Sequence, residues 1–175
     1  GYFDKCLNES RFDTDIPLYA LAALRKNAET IVNWRTRFRE NQIPEKIDQL
    51  FTGLLAEPVW RRQSERLKAQ WAVCRLWCGH YAEAAKLLKE VQNRPLPAAG
   101  FAGWALTWNR RPWQIVEAEL AAFTGPAGEL ARAAETAELA EKNLLAISLY
   151  EQARALPGLS PAAKNYLRDR IAFLY

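Results

Sequence analysis

One histidine, three cysteines and a ladder of glutamates are the side chains here whose types and spacing can do chemistry. His80 is the sole imidazole, so any nucleophilic triad or neutral-pH base would have to use it. It follows Gly79 in a segment that reads as a turn, away from any serine-centred elbow, phosphate-cradling glycine loop or dinucleotide fingerprint. A turn position is therefore expected for His80, and no catalytic residue is assigned. Cys74, Cys78 and His80 offer three metal ligands, whereas a structural zinc takes four, usually in two spaced pairs. The fourth would have to come from as far away as Cys6. Spaced i and i+4, Cys74 and Cys78 share a helix face and read as small buried hydrophobes. No metal and no cofactor is expected. An odd cysteine count argues against a disulfide framework and for a reducing compartment, the cytoplasmic face before the periplasmic, with one bridge through Cys6 left open. Glu135, Glu138 and Glu141 recur at i+3, but paired carboxylates in glycosidases need a sugar cleft around them. On an alanine-rich helix they are expected as a solvated acidic ridge.

Seven tryptophans, several interleaved with arginine, are the other chemical signal. The clusters are Trp34-Arg35-Thr36-Arg37-Phe38-Arg39, Trp60-Arg61-Arg62 and Trp108-Asn109-Arg110-Arg111-Pro112-Trp113. Aromatic rings with cations can hold single-stranded nucleic acid, anionic glycan or an acidic peptide. Helical geometry gives a second reading of the first cluster, with Trp34 and Phe38 inward and Arg35 and Arg39 on the opposite side. Trp108, Arg110 and Arg111 are kept as partner-contact candidates, because aromatics and arginine concentrate at protein interfaces. A net charge of +4 falls short of a basic stripe, so nucleic acid is not the expected partner.

The elements that must position these groups are helical. Pro17, Pro44, Pro58, Pro112, Pro126 and Pro161 each open a stretch with helical spacing of apolar residues, and Asp15 and Ser160 are N-cap types ahead of two of them. Leu21, Leu24, Ala28, Ile31, Trp34 and Phe38 form one stripe; Ile47, Leu50, Phe51, Leu54 and Leu55 form another. A third helix runs from Pro58 to Cys78, with Trp60, Leu67, Trp71, Cys74 and Cys78 inward, and ends at Gly79, a residue suited to a left-handed cap. No stretch alternates with period two, so no sheet is expected. No apolar run is long enough to cross a bilayer. The chain opens at Gly1 and contains no methionine, which implies that a signal peptide, an anchor or a preceding domain has been removed upstream.

Second helices of successive pairs begin near 44, 81, 112 and 144, in steps of 37, 31 and 32 residues. Steps near ~34 mark helix–turn–helix arrays. Gly79, Tyr81, Ala84 and Leu88 in Leu76–Leu88 resemble the turn and second helix of a tetratricopeptide (TPR) repeat, and Ala146, Tyr150 and Ala153 resemble the same second helix. The resemblance implies an all-α fold of about eight or nine helices, stacked as antiparallel pairs in a right-handed superhelix. Its organisation would be one domain over 1–175: an extension (1–14), a first pair (16–56), a TPR-like pair (58–92), a degenerate pair (93–124), a TPR-like pair (126–156) and a capping helix (161–175). It further implies a partner groove presenting Arg66, Val73, Leu76 and Trp77. The carboxylate-clamp pattern of the family is absent, which points to an apolar peptide or helix as ligand. The reading is a non-catalytic interaction or scaffolding module of a larger, membrane-associated bacterial assembly. A basic surface for an acidic polymer and an accessory helical domain of an enzyme are its rivals.

Overall fold

A computed structural model describes residues 2–8, 11–25, 31–91 and 112–175. Among them the chain is all-helical, without a strand. It divides into two compact units, Gly1–Gly103 and Trp104–Tyr175. No helix among the described residues is long and apolar enough to cross a membrane.

Unit 1 contains α1 (Tyr2–Asn8), α2 (Ile16–Arg25), α3 (Ile31–Phe38), α4 (Ile43–Ala56), a 3-10 helix (Pro58–Gln63), α5 (Ser64–Trp77) and α6 (Tyr81–Glu90). The segment expected as an N-terminal extension thus holds a helix, and α1 packs on α2. The third expected helix is two elements, because Pro58–Gln63 winds as 3-10 before α5 begins. The tighter winding goes with a side-chain tie, since the Trp60 indole N–H donates to the Phe12 carbonyl at 2.6 Å. The stripe expected over 17–38 is described as α2 and α3, with 26–30 and the Trp34 side chain outside the described residues.

The core of unit 1 is the inward face of α4 (Ile47, Leu50, Phe51, Leu54) against α5 (Leu67, Ala69, Ala72, Val73, Cys74, Leu76, Trp77) and α6 (Tyr81, Ala84, Leu88). Gly79 ends α5 in the left-handed region at φ 83°. The Gly79 N–H donates to Leu76 O at 3.0 Å and the His80 N–H to Arg75 O at 2.9 Å, the paired bonds of a Schellman turn. From α3, Arg39 Nε donates to Trp77 O and Arg39 Nη2 to the Tyr81 hydroxyl, each at 3.1 Å. Arg35 is buried and Arg39 half-buried, so neither stands on an open side opposite the inward face where helical spacing put them. The helix α3 packs on α2, α4 and α5, and Thr36 is exposed on it.

Unit 2 contains α7 (Pro112–Thr124), α8 (Gly128–Leu139), α9 (Asn143–Ala155) and α10 (Pro161–Leu174). Each packs on the next, and α10 returns to pack on α7, closing a ring of four. The Ser160 hydroxyl accepts from the Ala163 N–H at 3.2 Å with Pro161 beginning α10, as its type predicts. The α8–α9 turn repeats the α5–α6 turn. The Glu141 N–H donates to Glu138 O and the Lys142 N–H to Ala137 O, both at 2.9 Å, with Glu141 at φ 59° where the first turn has glycine.

Ala69, Ala72, Val73, Leu76, Ala84, Leu88 and Val91 are buried, and so are the residues 62 positions later: Ala131, Ala134, Glu135, Glu138, Ala146, Tyr150 and Ala153. Glu135 and Glu138 are therefore interior residues, not a solvated ridge; only Glu141 is exposed. Glu138 accepts the Tyr150 hydroxyl at 3.0 Å and pairs with Arg170 of α10, which supplies the compensation a buried carboxylate needs.

Two substitution pairs test this register. Gly79→Ala should lower stability by ~1–2 kcal/mol, from the left-handed backbone and from a Cβ 3.2 Å from Arg39 Cζ, while Glu141→Gly should raise it by up to ~1 kcal/mol. Ala84→Leu and Ala146→Leu, each inserting three heavy atoms where the alanine is 0% exposed, should each cost ~1–3 kcal/mol. Urea titrations measure all four, and tolerance of leucine at both alanines would refute the register.

Candidate partner-binding site

Residues 11–15, leading into α2, form one wall of a cleft in unit 1. The Phe12 ring lies over α4 at Gly53, where an added Cβ would stand 2.6 Å from ring carbons. Its carbonyl holds the Trp60 indole, so loop and 3-10 helix are fixed to one another. Between them and the first turns of α5 is a cavity of about 490 Å³ lined by Asp13, Thr14, Asp15, Leu18, Trp60, Gln63, Arg66, Leu67 and Gln70. Leu18, Leu67 and Trp60 supply its apolar surface. Asp13 and Asp15 lie on the loop side, and the Tyr19 hydroxyl donates to Asp15 Oδ2 at 3.3 Å. On the α5 side, Arg66 Nη1 donates to Gln63 Oε1 at 3.4 Å.

A second depression, of about 310 Å³, runs between α5 and α6 and is lined by Lys68, Trp71, Arg75, Glu83, Lys86, Leu87 and Glu90. Trp71 is its aromatic wall, stacked on Phe51 at 5.9 Å between ring centres. Asp48 organises this wall: the Trp71 indole N–H donates to Oδ1 and Arg75 pairs with Oδ2, both at 2.7 Å. The Arg75 guanidinium lies 5.2 Å from the Trp71 ring centre, within cation–π range. At one end Lys68 and Glu90 pair at 2.8 Å, and the lysine holds the glutamate's carboxyl below its usual range. Both signs of charge line this depression, so it makes no dedicated anion site.

Of the residues expected to meet a partner, Arg66 is exposed and lines the first cleft. Val73, Leu76 and Trp77 are 2%, 1% and 7% exposed, so the expected groove face is closed. Neighbouring helices cover it; the Trp77 ring packs edge-on to Phe38 of α3 at 5.2 Å. Trp108, Arg110 and Arg111 lie outside the described residues. Asp13, Asp15 and Trp71 carry the two depressions yet have no sequence signal as a set, because loop and helix are some fifty residues apart.

Among the described residues no three ligating side chains converge on a metal position. Cys74 and Cys78 are buried free thiols. Burial, then the neighbouring Cys78 and Asp48, raises the Cys74 thiol well above its ordinary range. Burial and then Asp48 push Cys78 up to about 12, against which Arg39 and Arg75 act only in part. Both are therefore neutral core thiols at physiological pH, poor nucleophiles and poor ligands. His80 is half-buried at the N-cap of α6 without a side-chain cap bond, and its backbone N–H completes the turn.

Comparison with protein-family models, with curated proteins and with solved structures finds no match.

The thiols give a pH test. Below pH ~9 both folded and unfolded chains keep the Cys78 proton; between there and about 12 only the folded chain does, so its contribution to stability falls as pH rises. The stability difference between the protein and Cys78→Ala should accordingly shrink above pH ~9, and a thiol reagent at pH 8 should label both cysteines only in denaturant. Rapid labelling of Cys74 or Cys78 in the native protein, told apart from Cys6 by peptide mapping, would contradict the buried assignment.

Proposed function

We propose that this chain is a non-catalytic protein-interaction module built from antiparallel, TPR-like helix pairs within a larger assembly. The observation that carries this reading is the repeated register: α5–α6 and α8–α9 share their turn hydrogen bonds and seven buried positions at a constant offset of 62 residues. A unit that recurs in this way uses its inward face for stacking and leaves its outward features to vary, which is how helical arrays acquire binding surfaces. In unit 1 the varying features are the cleft at Arg66 and the depression at Trp71, both on α5. The partner is a protein or peptide segment. Arg66 keeps its assignment as a partner contact, whereas the apolar contact assigned to Val73, Leu76 and Trp77 passes to the half-buried Trp60, Trp71 and Leu87.

The charges around the two depressions are mixed, which favours a polypeptide over a uniformly charged polymer. Phosphate-driven binding loses ~10³–10⁵ in affinity between 50 and 200 mM salt when six to ten contacts are made. The chain used as bait in extract from its source cells should capture a discrete protein whose retention changes little over that range. Arg66→Glu or Trp71→Ala, each checked for an unaltered melting curve, should reduce capture about tenfold, the size expected from losing one good contact. Nuclease-sensitive capture that collapses with salt would transfer the assignment to an acidic polymer.

A further inference from the structure

The walls of the Arg66 cleft carry opposite charges, and this polarity specifies a ligand more narrowly than the interaction reading on which it rests. On the loop side stand two carboxylates, Asp13 and Asp15, with the Thr14 side chain between them; its hydroxyl donates to Arg11 O at 2.9 Å, so its oxygen remains an acceptor. On the α5 side stand a guanidinium and an amide, Arg66 and Gln63. The floor is the Trp60 indole with Leu18 and Leu67. We propose that this cleft receives a basic side chain, arginine or lysine, of an extended peptide segment in a partner protein. The cationic head lies toward Asp13 and Asp15, the aliphatic stem lies along Trp60 and Leu18, and the peptide carbonyls beside that residue accept from Arg66 and Gln63.

Three features support this assignment over an acidic ligand. Carboxylates outnumber cations on the lining, two to one. A cation over an indole gains quadrupole attraction that an anion does not. The nearest competitor for Asp13 is weak, since Arg11 approaches only to 3.7 Å and both side chains are more than half exposed. The site is also held open before a ligand arrives. Phe12 is seated against Gly53 and its carbonyl holds Trp60, so binding need not order the loop, and that lowers its entropic cost. The net positive charge of the chain does not oppose a basic ligand at this range, because charges beyond ~8 Å are screened at physiological salt.

The test uses the whole chain and two acetylated, amidated pentapeptides, one with a central arginine between glycines and one with citrulline, its uncharged isostere, in that place. The readout is the indole N–H resonance of Trp60, assigned by comparison with Trp60→Phe. The arginine peptide should shift this resonance saturably and the citrulline peptide should bind at least about tenfold more weakly, as loss of a charge-assisted contact requires. Asp13→Asn with Asp15→Asn should weaken the arginine peptide to a similar degree. No shift at millimolar arginine peptide, or equal binding of the two peptides, overturns the proposal. The citrulline comparison is made on the unaltered protein and decides the matter even where the aspartate variants fold poorly. Capture of a partner from extract without arginine-peptide binding would sink this assignment alone. Peptide binding with no captured partner would sink the broader reading instead.

Discussion

A helix that ends inside a protein must find donors for its last carbonyl groups, and in unit 1 that requirement is met where three helices converge. The Schellman turn at Gly79 uses the carbonyls of Leu76 and Arg75, which leaves Trp77 O. Arg39 reaches it from the end of α3 and also holds the Tyr81 hydroxyl at the start of α6. A guanidinium suits this place because it is permanently charged, planar and multiply donating, and because a cation at a helix C-terminus is favoured by the helix dipole. The same group sits so close to Gly79 that a Cβ there would press on it. Turn geometry, the glycine and the long-range arginine are thus one constraint. It fixes α6 against α5 and so sets both walls of the Trp71 depression.

The equivalent turn in unit 2 solves a similar problem with different chemistry. Glu141 takes the left-handed backbone position without glycine's freedom. Where unit 1 buries Val73 and Leu76, unit 2 buries Glu135 and Glu138, and Glu138 is held by Tyr150 and Arg170. An apolar pair at these positions tolerates any well-fitting neighbour. A buried carboxylate demands donors in specified places, so it selects how α9 and α10 seat around α8. Arg170 extends the network outward, with its guanidinium 5.1 Å from the centre of the exposed Phe173 ring. The α10 helix is thus tied to α8 by charge placement, while it also packs on α7 and buries Ala163, Tyr166, Leu167 and Ile171.

What was legible in the sequence is what short-range physics writes there. Gly79 as a left-handed cap and Ser160 with Pro161 as a helix start follow from local backbone requirements and stand in the structure, and the small residues Ala84 and Ala146 are both fully buried. The failures share a cause in distant partners. Glu138 read as solvated because its donor Arg170 lies 32 residues away, and Arg39 read only as lying opposite the inward face because its acceptors lie 38 and 42 residues away. Pro58–Gln63 read as α-helix because nothing nearby reveals the Trp60–Phe12 bond across 48 residues. Arg66, Val73, Leu76 and Trp77 were assigned together to one groove by the repeat resemblance; of these Arg66 is exposed, while packing of the neighbouring helices buries the other three.

The same distinction separates the two depressions on α5. The one at Trp71 is bounded largely by groups that already answer one another: Lys68 with Glu90, and Arg75 and Trp71 with Asp48. A ligand entering it must compete with those pairs, and exchanging one ion pair for another yields little net free energy. At the Arg66 cleft the fixed elements are structural, Phe12 on Gly53 and Trp60 on the Phe12 carbonyl, while Asp13 and Arg66 are exposed side chains whose contacts to Arg11 and Gln63, among the described residues, are long. Rigid walls with weakly engaged charges are the arrangement in which a ligand's own hydrogen bonds are gained rather than exchanged. The loop–helix cleft is for that reason the better candidate of the two, although each is lined by one tryptophan.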